Sequence, residues 1–149
     1  MRHEKRIEIR WRDLDGLGHV NNAVYATYLE ECCDEWAARA FRSGGDPWEW
    51  VTVRVAIDYR RELTQDDDAV IVSVWLVRVG TSSLTLEAEI RKLDGTLSAE
   101  AETVIVARDR ETGRSRPLTD AERAALDGVL DRRSNPRPTG ADERREQRV

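Results

Sequence analysis

Asp13, Asp15 and His19 stand in one short polar turn, directly ahead of the pair Asn21-Asn22. The stretch reads DLDGLGHVNNAVY from Asp13 to Tyr25. A carboxylate just before a helix start suits attack on a carbonyl, or activation of a water that attacks it. Free N–H groups in the first helical turn can hold the negative charge that then develops on the carbonyl oxygen. Asp15 is the candidate carboxylate, either as a nucleophile that forms a mixed anhydride or as a general base. The residues do not choose between these roles. An Asp in a turn also commonly bonds its own backbone, and that reading stands beside the catalytic one. Asp13 reads as structural, fixing the turn or pairing with an Arg. His19 reads first as a loop-holding residue and second as an acid or base, since His titrates near neutrality. Asn21 is first an N-cap and second a group that could orient substrate or water.

Those residues need elements to position them. From about Asn22 to Arg42, Val24, Tyr28, Cys32, Trp36 and Ala40 recur every four residues, flanked by Tyr25, Leu29 and Ala37. That stripe predicts a long amphipathic helix with Trp36 in its core face, stopped by Gly44-Gly45. Ahead of the turn, Ile7, Ile9 and Trp11 alternate with Glu8, Arg10 and Arg12, which predicts a half-buried strand over 6–12. Four more strands are predicted over Val51–Tyr59, Ala69–Val79, Leu84–Arg91 and Ala99–Ala107, the second nearly continuously apolar and therefore central. The links Gly80-Thr81-Ser82-Ser83 and Asp94-Gly95-Thr96 are short enough for hairpins, hence antiparallel pairing. Thr119 and Glu122 have capping-box spacing for a short terminal helix opening near Pro117. The expected fold is α+β: one antiparallel sheet against one principal helix, a single domain over 1–132, with a polar, disordered tail over 133–149.

Composition narrows the function classes. Hydrophobic residues are 40% and charged residues 36% of 149, with a net charge of -5. An acidic balance with interleaved arginines argues against a nucleic-acid binder. No run approaches the length of a membrane span, and the start of the chain lacks a signal peptide's apolar core, so the expectation is a cytoplasmic protein off the membrane. The two cysteines, Cys32 and Cys33, are adjacent and fall inside the helix pattern. They read as small buried hydrophobes, neither a disulfide staple nor a nucleophile. Nothing suggests a metal site, and Asp66 to Asp68 reads as an acidic turn. Tyr25 and Tyr59 read as core or pocket wall.

The motif from Asp13 to Tyr25 resembles the signature of the hotdog-fold thioesterases, in particular the 4-hydroxybenzoyl-CoA thioesterase group of acyl-CoA thioesterases. Its DLD and HVNN elements are also similar to plant-type acyl-ACP thioesterases. Ile57-Asp58-Tyr59-Arg60, Val79-Gly80-Thr81-Ser82-Ser83-Leu84 and Gly113 to Pro117 continue the resemblance in order. What it implies is a five-stranded antiparallel sheet wrapped around one long helix. It also implies a homodimer or homotetramer, and an active site at the dimer interface without metal or organic cofactor. Asp15 would be the catalytic carboxylate, with the Asn22 backbone N–H aimed at the thioester carbonyl and His19 lining or supporting the site. Asn21, Tyr25 and Tyr59 would contact substrate, and Gly80, Thr81, Ser82 and Ser83 of a neighbouring protomer would lie near the pantetheine arm or its phosphates. One departure is the stretch Arg61 to Asp68, where similar proteins often carry a Pro and then a Gly-Asp pair.

The expected function is therefore hydrolysis of an acyl-CoA, or an acyl-ACP, to a free acid and a thiol. Two rivals remain open at this stage. A hotdog hydratase or dehydratase would need an acid/base His, and only His3 and His19 exist, His3 in a terminus read as mobile. A non-catalytic acyl-CoA-binding protein would keep the pocket without needing Asp15.

Overall fold

The computed structural model describes residues 1–42 and 44–130. The expected tail over 133–149, and the domain boundary at 132, lie outside these residues.

Five strands form one antiparallel sheet: β1 (Arg2–Glu8), β2 (Trp50–Tyr59), β3 (Ala69–Val79), β4 (Ser83–Lys92) and β5 (Leu97–Ala107). Their order is β1-β3-β4-β5-β2, which leaves β1 and β2 at the edges. The long helix α1 (Asn22–Ala40) lies across β3 and β1, and a short helix α2 (Asp120–Leu126) closes the described chain. The expected α+β hotdog architecture, a five-stranded antiparallel sheet wrapped around one long helix, is the one observed.

Helix α1 begins where its cap dictates. The Asn21 side chain accepts the Ala23 N–H at 2.9 Å. The apolar stripe faces the sheet, with Tyr28, Cys32 and Trp36 wholly buried. They meet the inward face of β3, where Val70, Val72, Val74 and Leu76 are also at 0% exposure. Burying side chains of this size stabilises by roughly 1.5–3 kcal/mol each relative to exposure. Ser73 and Trp75, on the outward face of β3, are buried as well, so β3 is central as its apolar run predicts.

The first strand differs from expectation. It spans Arg2–Glu8, not 6–12, and pairs from Arg2↔Trp75 to Glu8↔Ala69. Ile7 and Ile9 are buried as the alternation requires, but Trp11 is 84% exposed in a 3-10 turn over Trp11–Asp13. The reason is Asp13. Its carboxylate accepts the Arg10 N–H at 2.9 Å and turns the chain out of the sheet before Trp11. His3 is corrected too. It is 4% exposed within β1, and its Nε2 lies 2.9 Å from a Glu35 carboxylate oxygen on α1, so this end of the chain is packed and not mobile.

The hairpins use the expected residues. Gly80 N–H donates to Ser83 O at 2.7 Å, and a Cβ at position 80 would lie 2.6 Å from the Ser83 Oγ, so a larger residue there requires the Ser83 hydroxyl to turn away. In the other hairpin the Lys92 N–H donates to Thr96 O at 2.9 Å. The α2 capping box also forms, with Glu122 N–H on Thr119 Oγ1 at 3.1 Å and Thr119 N–H on a Glu122 carboxylate oxygen at 2.8 Å.

Candidate active site

Asp13 is the anchor of the turn. It is 3% exposed, and one carboxylate oxygen accepts the Tyr28 hydroxyl at 2.6 Å as well as the Arg10 N–H. Its own carbonyl accepts the Asn21 N–H at 2.8 Å. The turn is thus tied to the helix at its N-cap and at Tyr28. Burial alone would raise the Asp13 pKa. The Tyr28 and Arg10 hydrogen bonds and the Arg10 charge outweigh burial and hold the carboxyl below its ordinary value. Burial and the Asp13 bond push the Tyr28 phenol far up. The structural reading of Asp13 therefore holds.

Asp15 sits two residues on, half-buried. Its Oδ1 accepts the N–H of Leu17 at 2.9 Å and of His19 at 3.2 Å, while its own N–H donates to His19 O at 2.8 Å. This is the local turn that Asp forms readily. It also fixes where the carboxylate points, because only Oδ1 is engaged. Oδ2 takes no hydrogen bond among the described residues. Gly18 supplies the positive φ of 77° that closes the turn.

The loop after β2 holds the turn from the other side. Val20 N–H donates to Leu63 O at 2.8 Å, and His19 pairs with Thr64 across a single antiparallel bridge. Leu63 is wholly buried, and a 3-10 turn over Gln65–Asp67 is closed by Asp67 on the Thr64 N–H at 2.8 Å. This is the stretch that departs from the resembling proteins, and it acts here as a rigid brace.

Together these elements form a cleft of about 320 Å³. Asp15, His19, Asn22, Tyr25 and Tyr59 share its wall, and Leu17, Val20 and the run Arg60-Arg61-Glu62 complete it. The Asn22 N–H, at the first helical position, has no acceptor among the described residues. Asn21 does not reach the wall; its side chain is taken up by the cap and its N–H by Asp13. Asp15, with one carboxylate oxygen free, and Asn22, with a free helix-start N–H, therefore line the same cleft.

The fold and sequence of this chain are similar to those of other proteins. Residues 9–126 match the thioesterase-like superfamily. The chain belongs to that superfamily, and its reaction class is thioester hydrolysis. It is 27% identical over 135 residues to the long-chain acyl-CoA thioesterase FadM of Escherichia coli K12, covering 85% of this chain and 98% of that one. It also resembles the crystal structure of a thioesterase from Thermus thermophilus complexed with coenzyme A and Zn. The TM-score there is 0.75 at 33% identity, over 85% of this chain and 92% of that one. A predicted thioesterase from Bacillus stearothermophilus gives a TM-score of 0.78 at 27% identity, over 88% and 98%.

Within this thioesterase-like chain, Gly80 to Ser83 stand apart from Asp15. The turn holding Asp15 lies at the Ala69 end of β3, where Ile9 N–H meets Asp68 O. The 80–83 hairpin lies at the Val79 end, about 30 Å away at the usual strand rise. One protomer does not bring them together.

Arg60, Arg61 and Glu62, read from the sequence as the end of one motif and the start of the departing stretch but not as site residues, join the cleft wall. They follow β2 and reach the cleft because Arg60 and Arg61 N–H groups both donate to Ser98 O, at 2.8 and 3.0 Å. Their adjacency to Tyr59 was the available signal.

A second, more apolar groove of about 140 Å³ runs between α1 and the β2–β5 side of the sheet, with Ala26, Cys33, Ala37 and Trp50 among its walls. Burial pushes both the Cys32 and Cys33 thiols up to about 12, so neither is a thiolate nucleophile near neutrality.

Proposed function

We propose that this protein hydrolyses acyl-CoA thioesters to a free acid and coenzyme A. The observation that carries the proposal is the shared cleft. Asp15, whose Oδ2 is unengaged, and Asn22, whose N–H is unpaired among the described residues, line the same cleft, which supports a nucleophile or base beside an oxyanion donor. The relatives support the carrier: one is named as an acyl-CoA thioesterase, and another was crystallised with coenzyme A.

The chemistry runs at the thioester carbonyl carbon. In the nucleophilic route an Asp15 oxygen bonds to that carbon, and the carbonyl electron pair moves onto oxygen. The Asn22 N–H donates to the oxyanion. The C–S bond then breaks, the thiolate leaves and takes a proton, and water hydrolyses the resulting anhydride. In the general-base route Asp15 takes a proton from water, whose oxygen adds to the carbon instead. The same N–H serves both routes. A single such donor contributes about 2.7–4 kcal/mol to the transition state. His19 lines the site and supports the turn through its backbone.

We read the working unit as a dimer built on β2. This edge strand leaves Val51, Val53 and Val55 at 37%, 59% and 42% exposure, an unpaired apolar edge that invites another strand. Antiparallel pairing with a second copy would bring a partner's far hairpin, Gly80 to Ser83, toward this cleft, where small residues suit the pantetheine arm. Acyl-ACP remains the alternative carrier.

The hydratase reading loses support from His3, which is committed to Glu35 on the β1 side of α1 and does not line the cleft. Incubation with a panel of acyl-CoAs, reading thiol release separately from water addition to an enoyl-CoA, tests the proposal. Thiol release is expected. Water addition without thiol release, or binding without either, would overturn it.

A further inference from the structure

We propose that Tyr59 is a positioning residue that fixes the first turn of α1, and with it the Asn22 N–H, for hydrolysis. The inference rests on the thioesterase reading of the cleft.

Tyr59 is the last residue of β2, and its hydroxyl donates to the Asn22 carbonyl oxygen at 2.9 Å. A carbonyl only accepts, so the phenol proton is committed to the helix and is not offered to a substrate. The Tyr59 ring stands edge-on to Tyr25, with centroids 5.0 Å apart and planes at 82°. Tyr25 is 3% exposed, so this contact reaches from the edge strand into the core. Tyr59 therefore grips α1 at two places within its first turn.

The grip falls beside a bond that already orders this turn, the Val24 N–H on the Asn21 carbonyl at 2.9 Å. Asn21 is held by its N–H on Asp13 O, and Ala23 by its N–H on the Asn21 cap. Between them, Asn22 has its own N–H free. Holding its carbonyl adds a restraint from β2 on the first turn that presents that N–H. A helix start frays more readily than its middle, and a donor pre-set for an oxyanion loses its advantage when it must reorganise. The base of the tie is firm: Tyr59 pairs with Ala99, and the next two N–H groups bond Ser98 O.

Tyr59→Phe keeps the ring contact and removes only the hydroxyl. For a good acyl-CoA substrate, kcat is expected to fall about three- to tenfold, the scale of one net hydrogen bond. KM, and affinity for a non-hydrolysable acyl-CoA thioether, are expected to stay within about twofold. A rise in KM with kcat unchanged would make Tyr59 a wall of the substrate pocket and overturn the proposal, as would no change in either. Hydrogen exchange at the Ala23 amide, followed by NMR without substrate, gives a second reading. Exchange is expected to quicken in Tyr59→Phe, and unchanged exchange would overturn the tie. A wild type that hydrolyses no thioester would instead defeat the thioesterase reading, while the exchange experiment still judges the tie by itself.

Discussion

Tyr28 donates its hydroxyl to the Asp13 carboxylate at 2.6 Å, and both residues are buried beneath the turn that carries Asp15. One bond thus joins the helix stripe to the loop ahead of the helix. Removing the phenol leaves a buried charge short of a donor. Tyr28→Phe is expected to cost about 1–3 kcal/mol in urea unfolding. A loss within experimental error would mean that the Arg10 N–H alone satisfies Asp13.

The same carboxylate makes stability depend on pH. Folding lowers the Asp13 pKa, so Asp13 contributes stability that is fully present above its unfolded value, about 3.9. That contribution is lost as pH falls through the lower folded value. Asp13→Asn is expected to be less stable than wild type at neutral pH and to lose less on acidification. Equal slopes for the two proteins in the acid limb, by thermal melts across a pH series, would refute the assignment.

A second carboxylate ties the chain's return. Arg116 donates to both oxygens of Glu122, at 2.9 and 2.8 Å, and to Glu49 at 2.6 Å, with Glu122 only 1% exposed. Burial alone would raise the Glu122 pKa, but Arg116 and the Thr119 N–H lower it. Glu122→Ala removes its bonds to Arg116 and the Thr119 cap but leaves Arg116 paired with Glu49, so it is expected to destabilise by about 1–3 kcal/mol. Arg116→Met together with Glu122→Leu is expected to recover part of that loss. If the double variant is no better than Glu122→Ala in urea melts, packing and not charge governs this corner.

What could be read from the chain beforehand follows a physical line. The helix was legible because Tyr28, Cys32 and Trp36 repeat at helical spacing and all end wholly buried. Asn21 was legible because capping is local chemistry. Trp11 misled because alternation alone extended the strand, while the Asp13 carboxylate three residues past Arg10 decided where it stopped. His3 misled because polar residues near a chain end read as solvent-facing, and its burial depends on Glu35, far along the chain. Arg60 to Glu62 are held at the cleft by Ser98 and Glu100 on β5. A contact set by strand pairing leaves no periodic trace in either segment.

The exposed valines of β2 lead to a prediction about association. Val53 is the most exposed of them at 59%, on an edge strand. Val53→Asp places a charge where a second copy's strand would pair, a device that blocks edge pairing. Sedimentation is expected to show a dimer or larger assembly for wild type and a shift toward monomer for the variant. A wild type that is monomeric at micromolar concentration, yet fully active, would remove the dimer from the proposed mechanism.

The catalytic assignment stands or falls with Asp15. Asp15→Asn keeps the volume and keeps an oxygen able to accept from Leu17 and His19, so the turn should persist. It removes the charge and most of the basicity and nucleophilicity. Single-turnover hydrolysis of a good acyl-CoA is expected to fall by at least about a hundredfold, the scale of general-base loss. Affinity for the thioether analogue should survive, since the Asn22 N–H and the cleft walls are untouched. Losing the chemical step while keeping binding would place the carboxylate's contribution in the transition state. Asp13→Asn serves as the contrast: it should act through stability, with hydrolysis by the folded fraction reduced far less. Near-normal hydrolysis by a well-folded Asp15→Asn would exclude both routes through Asp15 and move the search to His19, the other titratable group whose backbone that turn already holds.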